Sequence, residues 1–169
     1  MPRNDLLSRF LSLFRKHEQR FKLFMDGLNN FEIGYPEGWK YDENIAVVDG
    51  KYTISFRSGQ RSFTIAVDAK LPPKFNFARY VRSETGPSSG ICADTNKTSF
   101  HGKPAFKREY VFMSGGRRHF GGCIMFHTMD KVFSLSWDAP EKEREEMEKV
   151  FGRMLKSFRP RHGFMMRGG

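Results

Sequence analysis

Cysteine is scarce: two occur in 169 residues, Cys92 and Cys123. They have no paired spacing, so neither a disulfide framework nor a zinc ribbon is indicated. Long apolar runs are missing as well. No stretch approaches the roughly 20 apolar residues of a bilayer-spanning helix, and the N-terminus is charged and amphipathic where a signal peptide would be continuously apolar. The expectation is a cytoplasmic protein with free thiols and no membrane contact.

Catalytic and ligand motifs are absent or broken. No Gly-x-Ser-x-Gly elbow occurs. His17-Glu18-Gln19-Arg20-Phe21 comes close to a zincin helix, but Phe21 stands where the second imidazole must lie. The run from Gly90 to Thr98 ends like a phosphate loop, yet Asn96 replaces the required glycine and the first glycine is one residue too far away. Asn96-Lys97-Thr98 is formally a glycosylation acceptor, which has meaning only in a secreted protein. His119, Cys123 and His127 share one face of a strand, but a spacing of four residues separates their side chains by about 13 Å. One ion cannot bridge that gap with bonds of about 2 Å. No catalytic residue, metal or cofactor is assigned, and a non-enzymatic protein is expected.

What the chain does have is aromatic bulk and positive charge. Eighteen Phe, five Tyr and two Trp can fill a sheet core despite a hydrophobic content of 38%. Lys plus Arg number 29 against 19 Asp plus Glu, a net charge of +10, which suits a polyanion partner.

Residues 4–26 carry a heptad-like pattern. Leu7, Phe10, Phe14, Phe21 and Phe24 fall at steps of three and four, with His17 at the one polar place. The spacing predicts a helix that starts near Asn4 or Asp5 and ends at Gly27. Arg9, Lys16, Arg15 and Lys22 line its opposite face, with Arg20 nearer the edge. Its Phe seam can pack on the chain's own sheet, join a second copy in a homodimer, or meet a partner; His17 and Glu18 interrupt the face that a membrane would need.

Beyond Phe31 the pattern turns to strands: FEIGYP, then IAVVD and KYTISF across Asp49-Gly50, then RSFTIAVDA. A short helix is predicted over residues 75–84. SETGPSSGICADTN reads as a surface loop over about 83–98. PAFKREYVFM and HFGGCIMFHT flank the turn Ser114-Gly115-Gly116-Arg117, and KVFSLSW follows. After Pro140, the stripe Met147, Val150, Phe151, Met154, Leu155 and Phe158 predicts a second long helix, stopped by Pro160.

FEIGYPEGW resembles the aromatic-x-x-x-Tyr-Pro-x-Gly-Trp opening of the PsbP-like proteins. HGKPAFKREYVF is similar to their Gly-x-Pro-Ala strand, and the closing KSFR to their terminal helix. The likeness covers residues 31–159. It implies an α+β fold, with an antiparallel sheet of about six to seven strands sandwiched by helices, to which the N-terminal amphipathic helix is an addition. Members include an extrinsic photosystem subunit and a nuclear partner of the Ran GTPase, so the resemblance also implies a binding role. The expected organisation is a basic helix over 1–27, a PsbP-like domain over 28–159 and a flexible basic tail over 160–169.

The candidate nucleic-acid contacts are Arg9, Arg15, Lys16, Arg20 and Lys22 in the helix, Arg117 and Arg118 at a hairpin tip, and Arg159, Arg161 and Arg167 in the tail. They lead to an accessory factor for structured RNA or a ribonucleoprotein such as a ribosomal subunit, recognised by shape and charge. The alternative is a protein-binding adaptor that uses the sheet or the 83–98 loop and favours an acidic partner. A small-molecule binder or enzyme would need a deep pocket beneath the sheet.

Overall fold

The computed structural model describes residues 19–28, 30–42, 46–83, 91–92 and 95–161. In chain order these form β1 (Phe21–Met25), β2 (Phe31–Pro36), β3 (Lys40–Tyr41), β4 (Lys51–Ser58), β5 (Arg61–Asp68), α1 (Phe77–Ser83), β6 (Ile91–Cys92), β7 (Asn96–Phe100), β8 (Lys103–Ser114), β9 (Arg117–His127) and β10 (Val132–Pro140). A 3-10 turn, Glu141–Glu143, then leads into α2 (Arg144–Ser157) and β11 (Arg159–Pro160). All described pairings are antiparallel. The large sheet runs β3-β4-β5-β10-β9-β8-β6, with β7 on another part of β8, and the small sheet runs β1-β2-β11.

Tight turns set the registers. Asp49 and Gly50 have φ of +55° and +77°, and Gly115 and Gly116 have +54° and +74°. Two successive positive φ values match the strand twist in a two-residue hairpin. Alternation then sorts the faces. Tyr52, Ile54 and Phe56 of β4, Phe63, Ile65 and Val67 of β5, and Phe133, Leu135 and Trp137 of β10 turn to one side and are buried. That side is covered by α2, through Met147, Val150, Phe151 and Met154, and by the small sheet, through Phe24, Phe31, Ile33 and Tyr35. On the opposite side α1 packs through Phe77, whose ring lies 5.4 Å from Phe106 and 4.7 Å from His127. The large sheet thus has α1 on one face and α2 with the small sheet on the other, where the resemblance implied a single sheet between helices.

The residues that carried the resemblance have structural work. Gly38, with φ +92°, closes the turn after Pro36 and lets Trp39 reach the core against Phe151 at 6.3 Å. Ala105 is buried, and Phe158 lies fully buried among Phe31, Phe126 and Phe133.

Several expectations change. The helix predicted over 4–26 does not include residues 21–25, which form β1, and Gly27 lies in the β1–β2 turn where a helix end was expected. Pairing with β2 overrides the helical spacing, because Phe24 reaches the core only as one face of a strand while Phe21 lies under Arg153. Leu7, Phe10, Phe14, Arg9, Arg15 and Lys16 lie outside the described residues, as does Arg167. Of the described residues of IAVVD, 46–49, only Val48 bridges, to Lys51. The predicted loop holds β6 and the start of β7. The tail is ordered further than expected, since Arg159–Pro160 pair with β2 and the Arg161 amide donates to Asn30 O at 2.7 Å.

Candidate functional site

α2 covers only part of the inner face of the large sheet. Beside it, toward the β8 edge, an apolar cleft of about 950 Å³ is left open. Val111 and Met113 of β8, Phe120 of β9 and Trp137 of β10 line it from the sheet, and Phe151, Gly152 and Leu155 from α2. Residues 144, 148, 151, 152 and 155 fall on one flank of a helix with 3.6 residues per turn, next to the core-facing stripe. This is why one helix can both close the core and wall a cleft.

Two successive glycines in β9 shape the floor. Gly122 pairs across from Trp137, and a Cβ there would run into the indole, so the ring lies flat on the strand. On the other side of β9, a Cβ at Gly121 would stand 2.6 Å from Tyr110 Cε2. Glycine inside a strand commonly marks such a close approach. The indole is held from behind by Phe63 and Phe151, at ring distances of 6.4 and 6.3 Å.

The rim is charged and largely self-compensated. The Arg144 guanidinium lies 4.5 Å over the Phe120 ring and pairs with Glu141 at 2.9 Å and Glu148 at 3.4 Å. The Arg144 hydrogen bond holds the Glu141 carboxyl below its usual range, against a smaller opposing effect of burial. Lys107 and Glu109 form a second pair at 2.7 Å, and Arg118 completes the rim.

Among the described residues, the predicted basic contacts fall into two groups. Arg117, hydrogen-bonded to Gln60 at 3.3 Å, and Arg118 sit near the start of α2. Arg20, Lys22, Arg159 and Arg161 surround the small sheet at the other end of that helix. Fourteen residues at about 1.5 Å each put about 21 Å between the two groups. Lys22 pairs with Glu37 at 3.5 Å, Arg161 pairs with Glu32 at 3.0 Å, and Arg159 donates to the carbonyls of Lys156 and Phe158.

His119, Cys123 and His127 do share a face of β9, and each has its own neighbour. His119 Nδ1 meets Asp138 at 3.3 Å, Cys123 Sγ meets Ser134 Oγ at 3.2 Å, and His127 Nδ1 meets Thr128 O at 3.0 Å. Among the described residues no group of three His, Cys, Asp or Glu converges as a metal site. Nor is any described helix long and apolar enough to cross a membrane.

The cleft itself was not visible in the sequence. Phe120, Trp137, Phe151 and Leu155 have the composition of core, and only Gly121-Gly122 within an aromatic-rich strand signalled a close approach.

No family model matches the chain, and no curated protein does. Solved structures do. The cyanobacterial PsbP protein of Synechocystis sp. PCC 6803 superposes with a TM-score of 0.58 at 12% identity, covering 83% of this chain and 92% of that one. A Pseudomonas aeruginosa protein of unknown function gives 0.53 at 18% identity, over 85% and 99%. LpqN of Mycobacterium tuberculosis, involved in cell envelope biogenesis, gives 0.50 at 8% identity, over 90% and 96%. The chain has a PsbP-like fold.

Proposed function

We propose that the protein is a non-catalytic binding module that receives an apolar segment of a partner protein in the cleft between α2 and β8–β9. One observation carries this reading: a cleft of about 950 Å³ whose floor is Phe120 and Trp137 and whose wall is Phe151 and Leu155. Aromatic anchors at the centre and paired charges at the rim are the usual anatomy of a protein interface. Arg144–Glu141 and Lys107–Glu109 give that rim both signs, which orients a partner without demanding an acidic one.

Contact with structured RNA or a ribonucleoprotein is the second reading. It is favoured by the hairpin tips at one end of the sheet, where Arg61, Arg117 and Lys142 line a shared hollow that also contains Glu143. Arg61 is held by Glu143 at 2.7 Å, which reduces the charge offered there.

Affinity capture from the source cells, followed by binding measurements on the recovered component, separates the readings. A cleft partner should bind with little salt dependence, lose at least tenfold in affinity with Met113→Glu or Leu155→Glu, and tolerate Arg117→Ser with Lys142→Ser. RNA recovered instead, with affinity falling steeply in salt and lost in the Arg117 and Lys142 variants, would replace the first reading by the second.

A further inference from the structure

Among the described residues seven large apolar side chains are exposed, and five of them are Leu23, Met25, Leu28, Val47 and Val48. They fall in two short segments, residues 23–28 and residues 47–48. Leu23 and Met25 lie on β1, and Leu28 lies in the β1–β2 turn. The Tyr52 hydroxyl bonds Asp26 at 2.6 Å, which holds that turn beside the start of β4. Val47 and Val48 immediately precede the Asp49–Gly50 turn into the same strand. A concentration of exposed apolar residues of this kind marks an interaction surface.

The backbone at this place is also open. Glu37 donates to Arg20 O and Asp26 donates to Phe31 O, so with the observed register the even-numbered residues of β1 direct their backbone groups to β2. Phe21, Leu23 and Met25 direct theirs outward, and among the described residues β1 pairs with β2 alone. Arg153 donates to Gln19 O at 3.1 Å and lies over the Phe21 ring at the start of this edge, but no described side chain caps the outward backbone of Leu23 and Met25. β1 contains no proline, and its one charge, Lys22, is turned to the other face and paired with Glu37.

From this edge we infer that the protein forms a two-fold dimer through β1, with a second copy of this chain as the occupant. The strand is complementary to itself. An antiparallel pair centred on Leu23 sets Phe21 opposite Met25 of the other copy, so all three outward residues fall in hydrogen-bonded pairs. The two small sheets then join as β11-β2-β1-β1-β2-β11. Leu23 and Met25 are exposed by 63% and 53% in one copy; across the junction Leu23 meets Leu23 and Met25 meets Phe21. The surface is separate from the cleft, so the dimer and the binding reading stand independently.

Sedimentation of the full chain should give a dimer. Leu23→Pro removes an outward N–H but no bond to β2, and Leu23→Lys adds charge to an exposed position; both should give folded monomers by far-UV circular dichroism. Leu23→Cys should link two chains on mild oxidation, because paired residues at the two-fold bring Cα atoms to about 5.5 Å, within disulfide reach. A monomeric wild type at all concentrations, or a dimer that survives both Leu23→Pro and Leu23→Lys, overturns the inference. So does a dimer lost only in Phe10→Glu with Phe14→Glu, which would assign association to the N-terminal segment.

Discussion

The Tyr52 hydroxyl donates to Asp26 Oδ2 at 2.6 Å and accepts from Asn30 Nδ2 at 2.8 Å, joining the β1–β2 turn to β4 inside the protein. Asp26 also accepts from the amides of Leu28 and Asn30. Burial, reinforced by the Asp26 hydrogen bond, pushes the Tyr52 phenol well above the ordinary tyrosine value of 10.0. Tyr52→Phe leaves Asp26 and Asn30 without this partner and should cost about 1–3 kcal/mol in denaturant unfolding at neutral pH. The sign of the pH dependence follows from the raised value. The stabilisation is complete below about pH 10, where tyrosine in the unfolded chain is still protonated. It is lost as the pH climbs from there toward the folded value. The stability gap between wild type and Tyr52→Phe should therefore narrow above about pH 10; a gap that widens there would refute the assignment.

Among the elements, β9 needs glycine where it crosses Trp137. Gly122→Ala drives a methyl into the Trp137 indole, which Phe63 and Phe151 prevent from retreating. Overpacking of this kind costs about 1–3 kcal/mol. The expected result is a lower denaturation midpoint together with an altered near-UV signal of Trp137; an unchanged near-UV spectrum would show that the ring is not held as described. The β8–β9 hairpin was legible because its turn and two-residue alternation agree, β4 and β5 were legible as strands but without their turn, and α2 was legible from its buried stripe. β1 was not. Phe21 and Phe24 continue the spacing of Leu7, Phe10 and Phe14, and only the partner strand β2 decides against a helix. β7 was hidden because its polar residues Asn96 to Ser99 lie exposed on an edge, where burial leaves no alternation to read.

For the whole molecule, Phe158 is the joint between layers. Its ring lies 5.4 Å from Phe31 of the small sheet, and 5.5 and 5.9 Å from Phe133 and Phe126 of the large one, directly after α2. Phe158→Ala should cost about 3–5 kcal/mol, and both sheets should still unfold in one transition. Far-UV and aromatic near-UV signals that separate into two midpoints would contradict a shared core. The layered fold was readable before the structure because KSFR and FEIGYPEGW place large rings where sheets and helix meet. The cleft was not, since Phe120 and Trp137 are almost fully buried beneath it and read in the sequence as ordinary core residues.

The strand β2 holds β1 on one side and β11 on the other. Phe21 enters beside Pro36, whereas Pro160 leaves beside Phe31, at the opposite end of β2. Tension applied through the segments before β1 and after β11 would therefore act along the strands, loading their hydrogen bonds together in shear instead of peeling them apart one by one. The small sheet is placed to work as a mechanical clasp that shields the aromatic core from a pull on the chain.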